Sequence, residues 1–289
     1  MIWISDGWKD YEVLDTSDGE RLERWGKYIL VRPDPQVIWN TPHRAKEWKN
    51  FDAKYIRSNT GGGRWTDHDL PERWQIKYKD YLTFNVKPMN FKHTGVFPEQ
   101  AANWDFIREK VSFAGRPVRV LNLFAYSGGA TLAAAAGGAE VFHVDASKGM
   151  VAWAKENAVA SGLADRKIHW IVDDCAKFIQ REIRRGRKYD GIIMDPPSYG
   201  RGPSGEIWKM ETSFYPFLQE TVKLLSDDPL FVIINSYTTG LAPSAVSYAA
   251  DVVFGKDHGG KCAAGELGLP VKESGLVLPC GATGRWISD

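Results

Sequence analysis

Four short runs carry the residue types from which a site can be built, and each falls where an apolar stretch gives way to a turn. The first is Asn122-Leu-Phe124-Ala125-Tyr126-Ser127-Gly128-Gly129. Glycines between a strand and a helix let the backbone approach a ligand, and the start of the helix offers free N–H groups. The G-x-G-x-x-G string that cradles a pyrophosphate is absent, so a ligand with a nucleoside and no phosphate fits this turn better. The second run, Val144-Asp145-Ala146-Ser147, places a carboxylate 17 residues after Gly128. An acid there can accept both hydroxyls of a ribose; plain helix capping is its competing role. In the third, Asp173-Asp174-Cys175, one carboxylate can accept the exocyclic amino group of adenine. Asp174 is favoured, because Asp173 could equally cap the helix that follows. The fourth is Met194-Asp195-Pro196-Pro197-Ser198-Tyr199. Its two prolines fix the backbone and leave carbonyls without neighbouring donors. An acid and fixed carbonyls can hold an amino group or ring N–H of a base, with an aromatic such as Tyr199 stacked on its face. The loop from Gly200 to Lys209 has hinge glycines and two cations, as a substrate lid would.

These runs need elements to position them. From about residue 117 the pattern alternates. Strands are expected at 118–124, 140–144, 167–172, 189–194 and 230–235. Helices are expected at 129–136, at 148–160 behind a Ser147 cap, from 176 into the cations of 184–188, at 212–225 and at 243–253. Two closing strands follow at 262–267 and 276–278, with Ser274-Gly275 as turn residues. Such alternation argues for a doubly wound α/β sheet, in which ligands sit beyond the carboxyl ends of the strands. Residues 1–90 read differently, as a smaller β-rich region, with 91–289 as the main domain. Short β-type runs are expected at 12–15 and 27–32 around the turn Ser17-Asp18-Gly19, and paired strands at 74–78 and 81–86 around Lys79-Asp80. A flexible loop is expected at Gly61-Gly62-Gly63. Seven of the 12 tryptophans precede residue 90, which suits either aromatic packing or a base-stacking surface.

Composition narrows the function classes. With 37 Lys+Arg against 36 Asp+Glu in 289 residues, the chain is neither a histone-like basic binder nor an acidic disordered tail. No apolar run reaches the roughly 18 residues that span a bilayer, and the first residues lack the features of a secretory signal. Three scattered cysteines, Cys175, Cys262 and Cys280, make neither a disulfide framework nor a zinc site. The six histidines show no ligand spacing, so no metal is expected. A reducing, cytoplasmic setting follows.

Read together, the four strand ends resemble those of class I methyltransferases that use S-adenosylmethionine. More narrowly, the chain is similar to the bacterial group containing the large-subunit ribosomal RNA cytosine-C5 methyltransferases. The likeness runs from about Phe91 to the C-terminus and includes Lys92-His-Thr-Gly-Val-Phe97-Pro-Glu-Gln100, which looks like that group's G-x-F-x-D-Q segment. It implies a Rossmann-like sheet of seven strands, with S-adenosyl-L-methionine as cofactor. Phe124 to Gly128, with Asn122, would lie along the methionine part. Asp145, with Ala146 and Ser147, would hold the ribose, and Asp174 with Cys175 would hold the adenine. Phe97 to Gln100 would close over the cofactor. The resemblance also implies RNA, ribosomal RNA above all, as partner.

The residues depart from that group at one point of chemistry. Methylation at cytosine C5 needs a thiolate to attack C6, carried after the fourth or fifth strand. Here those places read Asp195-Pro-Pro-Ser198 and Asn235-Ser-Tyr-Thr-Thr-Gly240, without cysteine. The leading expectation is therefore methyl transfer to an amino, ring-nitrogen or hydroxyl acceptor. Asp195 and the Pro196 carbonyl would hold it, Tyr199 would stack on it, Ser198 would add a hydrogen bond, and Asn235 and Tyr237 could line the same pocket. Two alternatives stay open: C5 methylation through an unplaced cysteine, and a non-catalytic RNA clamp using the basic stretches 44–57 and 181–188.

Overall fold

The computed structural model describes residues 1–58, 62–66, 68–201 and 207–289. Gly61 of the expected flexible loop and residues 202–206 of the expected lid lie outside the described residues. In chain order the elements are β1 (Ile2–Ile4), β2 (Tyr11–Ser17), β3 (Glu20–Trp25), β4 (Tyr28–Pro33), β5 (Ala53–Arg57), β6 (Gly63–Trp65), β7 (Trp74–Tyr78), β8 (Leu82–Val86), α1 (Ala101–Ser112), β9 (Arg119–Leu123), α2 (Gly129–Gly137), β10 (Glu140–Asp145), α3 (Lys148–Ala160), β11 (Ile168–Val172), α4 (Cys175–Arg184), β12 (Gly191–Met194), β13 (Tyr199–Arg201), β14 (Ile207–Lys209), α5 (Met210–Thr221), β15 (Phe231–Ser236), α6 (Pro243–His258), β16 (Lys261–Pro270) and β17 (Val277–Ile287). They form two compact units. One comprises Met1–Trp3, Ala102–Leu267 and Gly281–Asp289; the other comprises Ile4–Ala101 and Gly268–Cys280.

The smaller unit is β-rich. Its strands run β2-β3-β4-β5-β6 in one sheet, and β7 pairs with β8 as an antiparallel hairpin. The turn at Ser17-Asp18-Gly19 is present, but it leads into β3 rather than to a strand at 27–32. Strand β3 is hidden in the sequence because charged residues take its inward positions: Arg21, Leu22 and Glu23 are all buried. Glu23 is fully buried and compensated. It accepts from Tyr11 Oη at 2.6 Å and from Arg32 Nε and Nη2 at 2.6 and 2.7 Å, with Arg21 Nε at 3.3 Å. Burial alone would raise its pKa. The two guanidiniums and these hydrogen bonds outweigh burial and hold it at about 2.

Asp15, beside a bulge in β2, gathers the following segment. It accepts backbone N–H bonds from Thr16, Arg44 and Ala45 and the indole N–H of Trp48. The tryptophans here pack rather than display. Trp25 is fully buried, Trp8 meets Tyr11 and Tyr78 at centroid distances of 5.7 and 4.9 Å, and Trp74 meets Tyr28 at 5.1 Å. None of the seven is among the exposed large apolar side chains, which favours packing over a base-stacking surface.

The larger unit holds one sheet in the order β1-β16-β17-β15-β12-β9-β10-β11. It has eight strands rather than the expected seven, because β1 adds at the edge beside β16. Pairing is parallel from β15 through β12, β9 and β10 to β11, while β17 runs antiparallel to β15. Alternating side chains send each strand to two cores, as a doubly wound sheet requires. Leu121, Leu123, Ile192, Met194, Val232 and Ile234 meet α4, α5 and α6 on one face. Val120, Val141, Ile193, Phe231 and Ile233 meet α1 and α2 on the other. Helix α2 packs closely because its residues are small: a Cβ on Gly129 would stand 2.5 Å from the Trp104 ring. The last strand extends to Ile287, well beyond the expected 276–278, through a Gly- and Pro-containing stretch that hides its periodicity. No helix among the described residues is long and apolar enough to cross a membrane.

Replacing Glu23 by Gln keeps the shape and strands two buried guanidiniums, so the expected loss of stability at pH 7 is about 3–5 kcal/mol. Glu23 contributes fully above about pH 4.5, and the contribution fades as pH falls towards 2. Urea unfolding followed by tryptophan fluorescence should therefore show the gap between Glu23→Gln and the parent chain shrinking at pH 3. A gap independent of pH contradicts the ion-pair account.

Candidate active site

The site is placed by sheet topology. Strand β9 has β10 on one side and β12 on the other, so the winding direction reverses between β9 and β12. Crevices in open α/β sheets form at that reversal, beyond the carboxyl ends. The last register pair of these strands is Leu123 with Met194. The next residue on one strand is Phe124 and on the other Asp195, so the topology brings the first and fourth runs side by side.

The turn after β9 is unusual backbone. Phe124, Tyr126 and Gly128 have φ of 55°, 49° and 91°, and only glycine takes such angles freely. The strained residues are held from below. Phe124 N donates to Cys175 Sγ at 3.3 Å, Ala125 N to Val144 O at 3.1 Å and Tyr126 N to Asp145 Oδ2 at 2.8 Å. Asn157 donates to the Ser127 carbonyl at 2.9 Å. At Gly128 a Cβ would approach that of Ala154 to 3.0 Å. Ala125, Ser127 and Gly128 are buried while Phe124 and Tyr126 are half-buried. Asn122 is buried too, and its amide donates inward to Thr131, whose hydroxyl also meets His143. Burial lowers the His143 pKa to about 3, which keeps that ring neutral.

Asp145 ends β10 half-buried. Its second oxygen accepts Ser147 N at 2.8 Å, so each oxygen holds one backbone N–H and keeps a lone pair to spare. Burial raises its pKa, and the two backbone bonds act the other way. Capping of α3 falls instead to Ser147, which accepts Met150 N at 3.3 Å. Ala146 and Ser147 are exposed beside it. At the end of β11 the capping role falls to the second acid. Asp174, not Asp173, caps α4 through Lys177 N at 3.0 Å, while Asp173 pairs with Arg181 at 2.5 Å. The second oxygen of Asp174 has no partner among the described residues, and Asp174 borders a groove of about 500 Å³ between α4 and α5, walled also by Lys177, Gln180, Trp208 and Phe217. Two carboxylates with acceptor capacity to spare, at adjacent strand tips, suit a ligand bearing hydroxyl and amino donors.

Beyond Asp195, which is half-buried, Pro196 is buried, and Pro197, Ser198 and Tyr199 are exposed. Ser198 Oγ meets Thr238 Oγ1 at 2.8 Å, and the Pro197 carbonyl accepts the Trp208 indole N–H at 2.6 Å. Asn235 is buried in a polar network with Asn103 and Thr283. Phe97 and Gln100 belong to the smaller unit, flanking a 3-10 turn at Pro98–Gln100, with the Phe97 ring 5.2 Å from that of His93. Sequence reading passed over Trp208 and Phe217. The signal for Trp208 was available: a carbonyl beside two prolines must find its donor elsewhere in the chain.

The surroundings of the three cysteines disfavour the thiolate. Burial raises all three thiol pKa values above the ordinary range, that of Cys262 to about 12. In the basic stretch at 181–188, Arg181 pairs with Asp173 and both Arg185 and Arg187 pair with Glu182, while Arg184, Arg185, Arg187 and Lys188 stay exposed.

A family model described as S-adenosylmethionine-dependent methyltransferase matches residues 25–227. The chain belongs to that family. A ribosomal RNA large subunit methyltransferase K/L of Methylococcus capsulatus is 27% identical over 242 residues, 79% of this chain and 30% of its own length. A ribosomal RNA large subunit methyltransferase K of Neisseria meningitidis is 34% identical over 143 residues, 48% of this chain and 40% of its own. This methyltransferase thus spans less than half the length of these curated relatives. The crystal structure of an S-adenosylmethionine-dependent methyltransferase from Agrobacterium tumefaciens superposes with a TM-score of 0.94 at 38% identity, covering 100% of this chain and 94% of that one. The α/β sheet with its β-rich N-terminal region is therefore shared at full length, and S-adenosylmethionine is the cofactor.

In this methyltransferase, Asp145→Asn turns an NH2 group against one of two backbone donors and loosens the turn. Affinity for S-adenosylhomocysteine, measured by calorimetric titration, should fall about tenfold or more. Unchanged affinity would remove Asp145 from the support of the cofactor turn.

Proposed function

We propose that the chain methylates an amino, ring-nitrogen or hydroxyl group of an RNA base, ribosomal RNA being the substrate class that its relatives' names suggest. The carrying observation is the register of β9 with β12, which sets Asp195 next to the turn beginning at Phe124. When bound, S-adenosylmethionine supplies a methyl group already activated by its sulfonium, so alignment is what remains for the protein. Phe124 to Gly128 would flank the methionine part, Asp145 would accept the ribose hydroxyls, and the unbonded oxygen of Asp174 would accept the adenine amino group. On the acceptor side, Asp195 would take a hydrogen bond from the N–H or O–H to be methylated. The Pro196 carbonyl would hold a second donor of the same base. Exposed Tyr199 would stack on the ring, and Ser198, bonded to Thr238, would line the edge. Such work on RNA belongs in the bacterial cytoplasm.

The buried thiols favour these acceptors over carbon C5, because a covalent route would need a thiolate where none is stabilised. Two variants test the reading with labelled S-adenosylmethionine and ribosomal RNA. Asp195→Ala should keep cofactor binding and lose on the order of 10²-fold in turnover, about 2.7 kcal/mol of barrier. A chain with Cys175, Cys262 and Cys280 all replaced by Ser or Ala, if folded, should still transfer label. Full turnover by the first variant removes the acceptor role of Asp195. A covalent adduct with fluorinated cytosine RNA that disappears with one cysteine would establish the C5 route instead.

A further inference from the structure

We propose that Trp208 is the positioning residue that keeps the acceptor ledge, Asp195 to Tyr199, in line with the cofactor turn, Phe124 to Gly128. The inference rests on the reading of that ledge as the acceptor site. The backbone register of β9 with β12 ends at Leu123 and Met194. Past that point the backbone pairing of the two strands ends. The Trp208 side chain touches both turn and ledge. The Trp208 indole N–H donates to the Pro197 carbonyl at 2.6 Å. Its ring lies 5.5 Å from that of Phe124, while both pack on Phe217, at 5.3 and 5.6 Å. Phe124 is itself pinned in a left-handed conformation by its bond to Cys175. The ring triangle therefore carries the position of the turn to Trp208, and the indole N–H carries it on to the ledge.

Ser198, further along the ledge, is held from another side. Thr238 and the backbone N–H of Met210 both bind Ser198, and neither bond involves the turn. Trp208 is also not a core residue. It is half-buried, borders the groove between α4 and α5, and sits on β14, where it pairs across the hairpin with Gly200. A tryptophan with one polar bond to the ledge and one aromatic contact to the turn is suited to fixing geometry. Transfer between aligned groups is sensitive to this: a misplacement of about 1 Å can cost on the order of 10²-fold in rate.

The test is Trp208→Phe, which retains an aromatic ring and removes the donor. Thermal midpoint and KM for ribosomal RNA should stay within a few degrees and about twofold of the parent, while kcat at saturating S-adenosylmethionine falls about tenfold, a larger change than any in the Kd for S-adenosylhomocysteine. An unchanged kcat overturns the proposal, and so does a loss that appears equally in cofactor Kd or in thermal midpoint. A second readout needs no turnover. Hydrogen exchange of the peptide spanning 196–210 should slow when S-adenosylhomocysteine binds the parent chain and not when it binds the variant. Equal protection in both overturns the coupling. If the parent transfers no methyl to RNA, the acceptor reading fails, and the exchange experiment still decides whether Trp208 links the two segments.

Discussion

The parallel pairing of β9 with β12 is the constraint on which the rest of the site depends. These strands are far apart in sequence, yet the sheet joins them at the point where its winding reverses. The pairing is enforced by burial on both faces. Leu121, Leu123, Ile192 and Met194 enter one core while Val120 and Ile193 enter the other. A slip by one residue would exchange these sets and move every side chain to the wrong face. The neighbouring positions of Phe124 and Asp195 are thus consequences of core packing, and the site inherits its accuracy from apolar contacts that never touch a ligand.

The α/β part was legible in the sequence because its elements obey simple periods and end on strong stop residues. Ser147 caps α3, Gly138 ends α2 with φ of 104°, and the expected strands at 140–144 and 167–172 lie within a residue of those found. The β-rich part was less legible for a physical reason. Strand β3 buries Arg21 and Glu23, and a buried ion pair reads as a solvated face until its partners Tyr11 and Arg32 are known. Strand β5 was likewise concealed inside a basic stretch. Residue types located the acids at the strand ends but not the capping roles among them. Capping by Asp174 rather than Asp173 is decided by one residue of helix phase, which periodicity does not resolve.

Burial also separates the chemistry available here from chemistry based on a nucleophilic sulfur. Cys175 lies beneath the turn after β9, 4% exposed, accepting the Phe124 amide. In that place a neutral thiol is useful as a soft acceptor, and ionisation would put a charge close to Asp145, Asp173 and Asp174, which already oppose it. Burial first, and then these three acids, push the thiol pKa up. The site is rich in oxygen acceptors, which suits binding hydroxyl and amino donors.

The strain in the turn from Phe124 to Gly128 follows from the same arrangement. Two non-glycine residues in the left-handed region cost on the order of 1–3 kcal/mol each. They persist because the amides of Phe124, Ala125 and Tyr126 each find an acceptor supplied by the neighbouring elements: Cys175 Sγ, the Val144 carbonyl and the Asp145 carboxylate. A relaxed turn would forfeit those bonds and leave buried acceptors unmet, at a cost of about 1–3 kcal/mol for each group. The two costs are of similar size, so the strained shape is stable only while β10 and α4 hold their acceptors in place. Asp145 holds the turn and the start of the next helix with one carboxylate, each oxygen taking one backbone N–H. Both bonds need an acceptor, which is why a carboxylate, with an acceptor oxygen on each side, suits the position better than any amide.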